Sequence, residues 1–558
     1  MVRATFSGFN TALSALQANQ KRLDITGQNL SNMNTAGYTR QQLEASSLNY
    51  TNPVSHYSNG NETAVGFGVS MDRVSQIRDP YLDIQYRSQS ADCSYTNRLQ
   101  TALNSLSKVL DETTISGIRQ AFDDVQSTLT SMQDPAKVSD PIYESELRTK
   151  MQSVCNLFNQ ASRQITQAEQ NEFQRLTGEG SSEQGDVQKI NDILRQIGDL
   201  NVQIKRNQVA GHPSLELQDE RNLLLDELSG YIPVETRYYK DDAHSGNNAY
   251  DYDANGAVIG KKDWPDDLEV SMNYIDAQGK SQKLILVNGS DLGADGLTKN
   301  YGQLSVLKGD HQTAASVSDP ANISIKFEKA PSYKGNGQAA ADVYAELKGI
   351  HFEGGSLQAS LDMLQKTGTG NVINGSTAVD DVRGYQYYSG KLDQLASTFA
   401  DSMNDINNKG KNPKDQNLLS NSTDDSTNGI TAGNIGISKG WTSGTIHIST
   451  DGTNRTDTIL DMIAAMKDTK KLNGKTFADY MNNLSTQLAS DSSSNQTALK
   501  TGTTVLNSIQ DSRDSLSGVS LDEEATNMMA YVSAYNAASR LMTALDEVLN
   551  TLISNTGA

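Results

Sequence analysis

GQNLSNMNTAGYTR, residues 27–40, packs three asparagines, two glycines and a tyrosine into fourteen positions directly after a run with helical periodicity. Upstream, the apolar residues are Phe6, Phe9, Leu13, Leu16, Leu23 and Leu30, with Gln20 and Gly27 filling the gaps of a three–four alternation. This is a heptad seam of about three and a half repeats, and Leu30 closes it. Beyond it, Asn32 and Asn34 suit the unsatisfied groups of a helix end. Thr35-Ala36-Gly37-Tyr38 suits a type II turn, in which Gly37 supplies the positive φ. The stretch reads as the end of a helix and the start of an extended arm.

The opposite end of the chain carries the same alternation: Leu521, Ala525, Met528, Val532, Tyr535, Ser539, Met542, Asp546, Leu549 and Ile553. A second stripe, Ala534, Ala538, Leu541, Leu545, Val548 and Leu552, runs beside it. One partner helix cannot cover two adjacent stripes, so the helix is either buried in a large domain or packed against several neighbours in an assembly. Residues 1–50 carry a net charge of +2 and residues 511–558 one of −5, which favours pairing of the two ends. The expected interface sets Phe9, Leu13, Leu16, Leu23 and Leu30 against Leu521, Met528, Val532, Tyr535, Met542, Leu549 and Ile553.

Between the ends, helical patterns cover 80–112, 115–132, 143–175, 187–207 and the segment from Gly211 to about Gly230. Strand and turn texture fills 231–350. Helical patterns return at 357–364, 384–408, 456–468 and 475–489, and a final helix or pair of helices covers 496–553. The expected fold is multidomain α+β and mainly α: terminal helices paired as a coiled coil, an elongated helical bundle, and inserted β-rich parts. The expected division is 1–45 with 508–558, then 46–230 with 351–507 (including a small turn-rich insert at about 411–455), then 231–350 as a β-rich surface insertion.

Composition narrows the function. A chain of 558 residues exceeds one ordinary core, and a mean hydropathy of −0.55 is polar without implying wholesale disorder. The net charge of −20 argues against nucleic acid and anionic lipid as partners. Two cysteines, Cys93 and Cys155, exclude a disulfide scaffold. No apolar run is long enough to span a membrane, and the first residues lack the pattern of a cleaved secretory signal. On these criteria alone the chain reads as cytoplasmic.

No catalytic set emerges. The six histidines include no i, i+4 pair of the kind a helical zinc site uses, so neither a metal nor a cofactor is expected. Gly436-Ile-Ser438-Lys-Gly440 matches a nucleophile elbow, but the residues after it read as turn and strand rather than helix. Gly335, Gly337 and Ala340 form a weak dinucleotide-type match after a polar segment. Asp251-Tyr-Asp253-Ala-Asn255-Gly256 begins like a calcium loop, yet Lys262 stands at the twelfth position, and Asn255-Gly256 is a favoured hairpin turn. A hairpin is the better reading. Tyr238, Tyr239, Tyr250, Tyr252 and Trp264 read as the core of the β-rich part rather than a carbohydrate surface.

Asn29-Leu30-Ser31-Asn32 followed by Thr35-Ala36-Gly37-Tyr38 resembles the amino-terminal signature of bacterial flagellar axial proteins, the rod, hook and hook-associated subunits. Ser517-Gly-Val-Ser-Leu521-Asp522-Glu523-Glu524, continuing into Ala534-Tyr-Asn-Ala-Ala-Ser-Arg540, is similar to hook-associated members. Asp219-Glu-Arg221, Gly354-Gly-Ser-Leu357 and Leu392-Asp-Gln-Leu-Ala396 agree with it. Proline is common in the family where this chain has Ala36, so the turn loses some pre-organisation here. The resemblance implies a structural adaptor, without catalysis, at the junction of hook and filament. It implies a homo-oligomeric ring that contacts the hook protein and a second junction protein. It further implies export by the flagellar type III system without a cleaved signal, replacing the cytoplasmic reading. A chaperone on the carboxy-terminal segment is implied, with both ends folding on assembly. The competing readings are another axial subunit, such as a hook protein, and an adhesin or enzyme acting through 231–350.

Overall fold

The computed structural model describes residues 7–48, 68–110, 117–239, 250–252, 258–261, 267–275, 280–289, 299–310, 313–328, 333–334, 338–339, 351–368, 372–373, 376–377, 382–411, 415–472 and 474–556. Helix α1, Ser7–Ser31, ends where Ser31 Oγ and Asn32 Nδ2 donate to the carbonyls of Gly27 and Gln28 at 2.8 and 3.0 Å. The Tyr38 amide then donates to the Thr35 carbonyl at 3.2 Å with Gly37 at φ +77°, which closes the expected turn. The arm is the first strand of a hairpin. β1 (Gln41–Ser47) pairs antiparallel with β2 (Val69–Gln76) through a bulge at Glu44/Ala45.

Six helices follow: α2 (Pro80–Leu110), α3 (Ile118–Ser131), α4 (Pro135–Val138), α5 (Pro141–Thr177), α6 (Asp186–Val209) and α7 (Leu215–Tyr231). In α5, Asp140 caps the start by accepting from the Ile142 amide, Pro141 occupies the first turn, and Gly178 ends the helix in the left-handed region. Of its heptad residues, Leu147, Met151, Val154, Phe158, Ala161 and Ile165 are buried and Ala168 is half-buried. Later come α8 (Gly355–Gln365), α9 (Tyr385–Asn407), α10 (Lys439–Ser443), α11 (Asp457–Lys467), α12 (Phe477–Ser517) and α13 (Leu521–Thr556). Phe122, Phe158, Phe399 and Phe477 interlock with centroids 5.2–5.9 Å apart, and so tie α3, α5, α9 and α12 into one core.

The β-rich stretch contains β3 (Glu235–Tyr239), β4 (Tyr250–Tyr252), β5 (Val258–Lys261), β6 (Asp267–Ile275), β7 (Ser281–Asn288), β8 (Gln303–Lys308) and β9 (Ile323–Glu328), then the two-residue strands β10 (Tyr333–Lys334), β11 (Gln338–Ala339) and β12 (His351–Phe352). β6 is central to a four-stranded antiparallel sheet, with β7 on one edge and β3 and β12 along the other. The β8–β9 hairpin is fixed to α6 by Asn191, which exchanges two hydrogen bonds with the Leu304 backbone at 2.8 and 2.7 Å. β4 pairs with β5 across the candidate calcium loop, as a hairpin requires. Its residues 253–257 lie outside the described residues, as do most of the dinucleotide-type match and Trp264. Tyr238 is buried, with Arg221 5.4 Å from its ring centre.

Beyond α8, β13 (Val372–Ile373) pairs with β14 (Ser376–Thr377), and β15 (Leu419–Asn421) with β16 (Ile435–Ile437). Two sequence expectations change. The patterns at 475–489 and 496–553 do not divide near 490: α12 runs unbroken for 41 residues. Its polar stretch stays helical because α2 receives it. Ser492 Oγ accepts from Gln100 at 2.8 Å, and Asn495 Nδ2 donates to the Thr96 carbonyl and to Gln100 Oε1 at 2.8 and 3.0 Å. The chain turns instead at Gly518–Ser520, where a Cβ on Gly518 would lie 2.4 Å from the Asp514 carbonyl. Position 508 therefore falls within a helix.

The second change concerns Gly436-Ile-Ser438-Lys-Gly440. A strand precedes Ser438 and the short helix α10 follows it. Ser438 is nonetheless the helix cap: its Oγ accepts from the Trp441 amide and donates to the Asn417 carbonyl at 2.6 Å. The hydroxyl is thus committed to the backbone.

Candidate functional site: a clasp between the two ends

The α1–α13 pair is antiparallel. Gly8 lies against Leu545, the Arg22 guanidinium sits 5.6 Å from the Tyr531 ring centre, and Arg40 meets Glu523 and Glu524. The line of α1 through Gly8 and Arg22, which meet α13, also holds the buried Ala12, Asn19 and Thr26. It keeps the heptad alternation but stands one residue ahead of the leucine seam. One residue rotates a helical side chain by about 100°, so the predicted leucines flank the contact. Leu13 is 46% exposed, while Phe9, Leu16, Leu23 and Leu30 are half-buried. At Gly8 an added Cβ would lie 3.3 Å from Leu545 Cδ1, so the missing side chain eases the approach of α13 there.

On α13 the covered line falls between the two predicted stripes, through Glu524, Met528, Tyr531, Ala538, Met542, Leu545 and Leu549. Leu521, Val532, Tyr535, Leu541, Val548 and Ile553 remain exposed. Thus Met528, Met542 and Leu549 face α1, whereas Leu521, Val532, Tyr535 and Ile553 stand beside the contact.

The opening stretch lies where this pair meets the rest of the molecule. Asn29, 1% exposed, is bonded to the Gln41 backbone like a neighbouring strand: its Oδ1 accepts the Gln41 amide and its Nδ2 donates to the Gln41 carbonyl, each at 3.0 Å. The Tyr38 hydroxyl donates to the same Oδ1 at 2.9 Å. Burial, followed by the nearby carboxylates of Asp219, Glu216 and Glu524, raises the Tyr38 phenol well above its ordinary range. Asn32, Thr35 and Gly37 build the turn itself.

The next two residues make the long-range connections. Thr39 donates through its amide and hydroxyl to the two carboxylate oxygens of Asp219, at 3.0 and 2.6 Å. Arg40 donates to Glu524 Oε1 at 2.8 Å and Glu523 Oε2 at 2.7 Å, while its amide donates to the Ser517 carbonyl at 2.9 Å. The Asp522-Glu523-Glu524 run also places negative charge on the first turn of α13, where the helix dipole favours it. The amino-terminal motif, the Asp219-Glu-Arg221 segment and the Leu521–Glu524 motif thereby become one structure.

Beneath them lies an alternating charge network. Arg78 forks onto Asp83, Arg87 Nε donates to Asp226 Oδ1 at 2.8 Å, and Arg513 bridges Asp226 and Asp83 at 2.7 and 3.1 Å. Arg513 also lies 4.2 Å from the Tyr86 ring centre. Burial opposes the charge on Asp226, but Arg87, Arg513 and Arg78 outweigh it and hold the carboxyl below its usual range. At Asp219 burial prevails over the Thr39 and Arg78 contacts, and the carboxyl is pushed up to about 6. A cavity of about 720 Å³ opens beside the network, lined by Met33, Gly37, Leu223, Arg513, Val519 and neighbouring residues. The remaining motifs are also positional. Gly355, at φ +85°, lies so close to the Tyr231 carbonyl that a Cβ would be 2.3 Å from it, and Asp393 accepts the Ala432 amide at 2.8 Å.

The turn and the acidic run are legible in the sequence, whereas the roles of Thr39, Arg40, Arg78, Arg87, Asp226 and Arg513 are not. The available signal was arginines flanking each motif, without an indication of which acid each would meet. Both cysteines are free and buried. No group of three or more His, Cys, Asp or Glu is placed to hold a metal, and no helix is long and apolar enough to cross a membrane, among the described residues.

Residues 103–418 match the family model described as flagellar hook-associated protein FlgK helical domain. Residues 9–39 match flagella basal body rod protein, and 512–555 match flagellar basal body rod FlgEFG protein C-terminal. The flagellar hook-associated protein 1 of Bacillus subtilis is 28% identical over 568 residues, which cover 99% of each chain. Its Salmonella typhimurium namesake is 29% identical over 230 residues, 40% of this chain and 38% of its own. The solved flagellar hook junction protein FlgK from Burkholderia pseudomallei aligns over 61% of this chain and 44% of that one, with a TM-score of 0.36 at 18% identity.

Proposed function

Because the chain belongs to the flagellar hook-associated protein FlgK family, whose helical-domain model spans more than half of it, we infer that it works as a structural subunit of the bacterial flagellum at the hook–filament junction. The observation that carries this reading is the joining of the two rod-type ends, residues 9–39 and 512–555, into one antiparallel pair with apolar flanks left open. Such a helix pair is only partly satisfied by its own chain, and copies of itself are the natural cover.

In this reading the subunits form a closed ring within the axial structure, with the hook protein on one side and a second junction protein on the other. The subunit travels through the flagellar type III apparatus without a cleaved signal, and a chaperone covers the carboxy-terminal helix before assembly. The 231–350 part faces solvent, and no chemistry is assigned to the chain. Deleting the gene tests the junction role. Retained hooks with unpolymerised filament subunits shed to the medium are expected. Loss of the hooks themselves would make it a hook-type subunit instead.

A further inference from the structure

The β1–β2 hairpin is bound along α1. Ser14 Oγ accepts the Val69 amide at 3.3 Å at one end, and Asn29 holds the Gln41 backbone at the other. Between helix and hairpin runs an open groove of about 460 Å³. Lys21 and Asp24 of α1 line one wall, and Leu43, Met71 and Val74 of the hairpin line the other. Leu43 and Val74 are cross-strand partners, and Met71 is 43% exposed. At about 100° per residue, Lys21 and Asp24 stand roughly opposite the line of α1 that meets α13. The chain's own α13 therefore covers the other side of the helix.

The same chain carries a matching surface elsewhere. Leu541 and Val548, 48% and 59% exposed, lie one heptad apart on α13 with Ala544 on the same face. Arg540 and Glu547 edge that face, one residue from each. Lys21, Asp24, Arg540 and Glu547 are all exposed, and among the described residues none of them makes an ion pair. Resting on the reading that copies of the chain assemble, we propose that the groove receives the Leu541–Val548 flank of a neighbouring copy's α13. Lys21 then meets that copy's Glu547, and Asp24 meets its Arg540. Each helix carries its positive charge before its negative one, so opposite charges meet only when the two run antiparallel. That is the sense in which α13 already lies beside its own α1, and rotation about a common axis preserves it. Groove and flank are different surfaces, so the contact is head-to-tail and passes from copy to copy, as ring closure requires. The apolar contact supplies attraction, and the rim charges set direction.

The test uses full-length chains in a Cys93→Ala/Cys155→Ala background, made in cells lacking the native gene, with flagella isolated after mild oxidation. Two chains are co-expressed, one with Met71→Cys and one with Val548→Cys. A disulfide-linked dimer is expected in flagella but not in dilute monomer, and neither chain should link when expressed alone. Adding Lys21→Glu to the Met71→Cys chain should lower the yield about fivefold. Glu547→Lys in the other chain should restore it. Flagella that hold both chains without this dimer overturn the groove and leave the junction reading standing. So does linkage of Met71→Cys to Leu13→Cys in place of Val548→Cys, which would seat the leucine seam of α1 there. Flagella built without the chain sink both readings. Should the cysteine chains fail to enter flagella that the parent enters, the charge exchange decides in the parent. Incorporation lowered by Lys21→Glu and recovered by Lys21→Glu/Glu547→Lys supports the groove, and no recovery refutes it.

Discussion

At Asn29 one side chain takes the place of a β-strand, and its two amide atoms account for three hydrogen bonds, two of them buried. Replacing it with alanine strands the Gln41 backbone and the Tyr38 hydroxyl, at a cost of about 1–3 kcal/mol. Amide exchange at Gln41 should accelerate accordingly, and unchanged protection would show the contact to be dispensable. Asp219 makes a pH-dependent prediction. Its carboxyl stands at about 6 in the folded chain against an ordinary 3.8, so its contribution to stability is full below the unfolded value and is lost as pH rises through 6. Between pH 4 and 7 the parent should lose up to about 3 kcal/mol from this group, and Asp219→Asn should not. Urea unfolding across that range checks it, and parallel curves would contradict it. Neither residue's role was legible in sequence. Asn29 stood inside a motif that resembled a helix end, and its partner Gln41 lay in an arm of unassigned pairing. Thr39 and Asp219 are 180 positions apart.

Among the elements, the helices of the body were legible because their burial follows their own periodicity, as α5 does from Leu147 to Ile165. α1 was legible as a helix but not in its facing register. Heptad counting selects the largest side chains, whereas contact with α13 selected the small and polar line beside them. The flanking residues lie outside the contact within the chain, and the proposed assembly would cover them. Val548, 59% exposed on α13, should tolerate glutamate with less than ~0.5 kcal/mol change in monomer stability but a loss of assembly. Paired thermal melts and sedimentation separate these effects, and normal assembly by Val548→Glu would remove this flank from the interface. The β1–β2 hairpin depends on Gly68, whose φ of +113° brings a hypothetical Cβ to 2.2 Å from Ser14 Oγ. Gly68→Ala should cost about 1–3 kcal/mol, read as lost amide protection in β1 and β2.

For the whole molecule, the order of parts along the chain was readable from composition: apolar heptads at both ends, helical patterns inside them, strands and turns at the centre. What composition does not carry is the connection between parts, because it rests on ion pairs such as Arg40–Glu524, separated by 484 positions. Those pairs join the terminal helices to the body, and the flanks of α13 at Leu541, Val548 and Ile553 are exposed. In soluble monomer, trypsin is expected to trim both ends and spare a core of roughly 50–500, with the ends protected after assembly. Density for the intact hook–filament junction, obtained by helical reconstruction of isolated flagella, tests the central reading most directly. The account predicts a closed ring of this chain with the α1–α13 pairs innermost and touching neighbouring copies through Leu541 and Val548. A junction in which those helices face solvent, or in which the chain is absent, would contradict it.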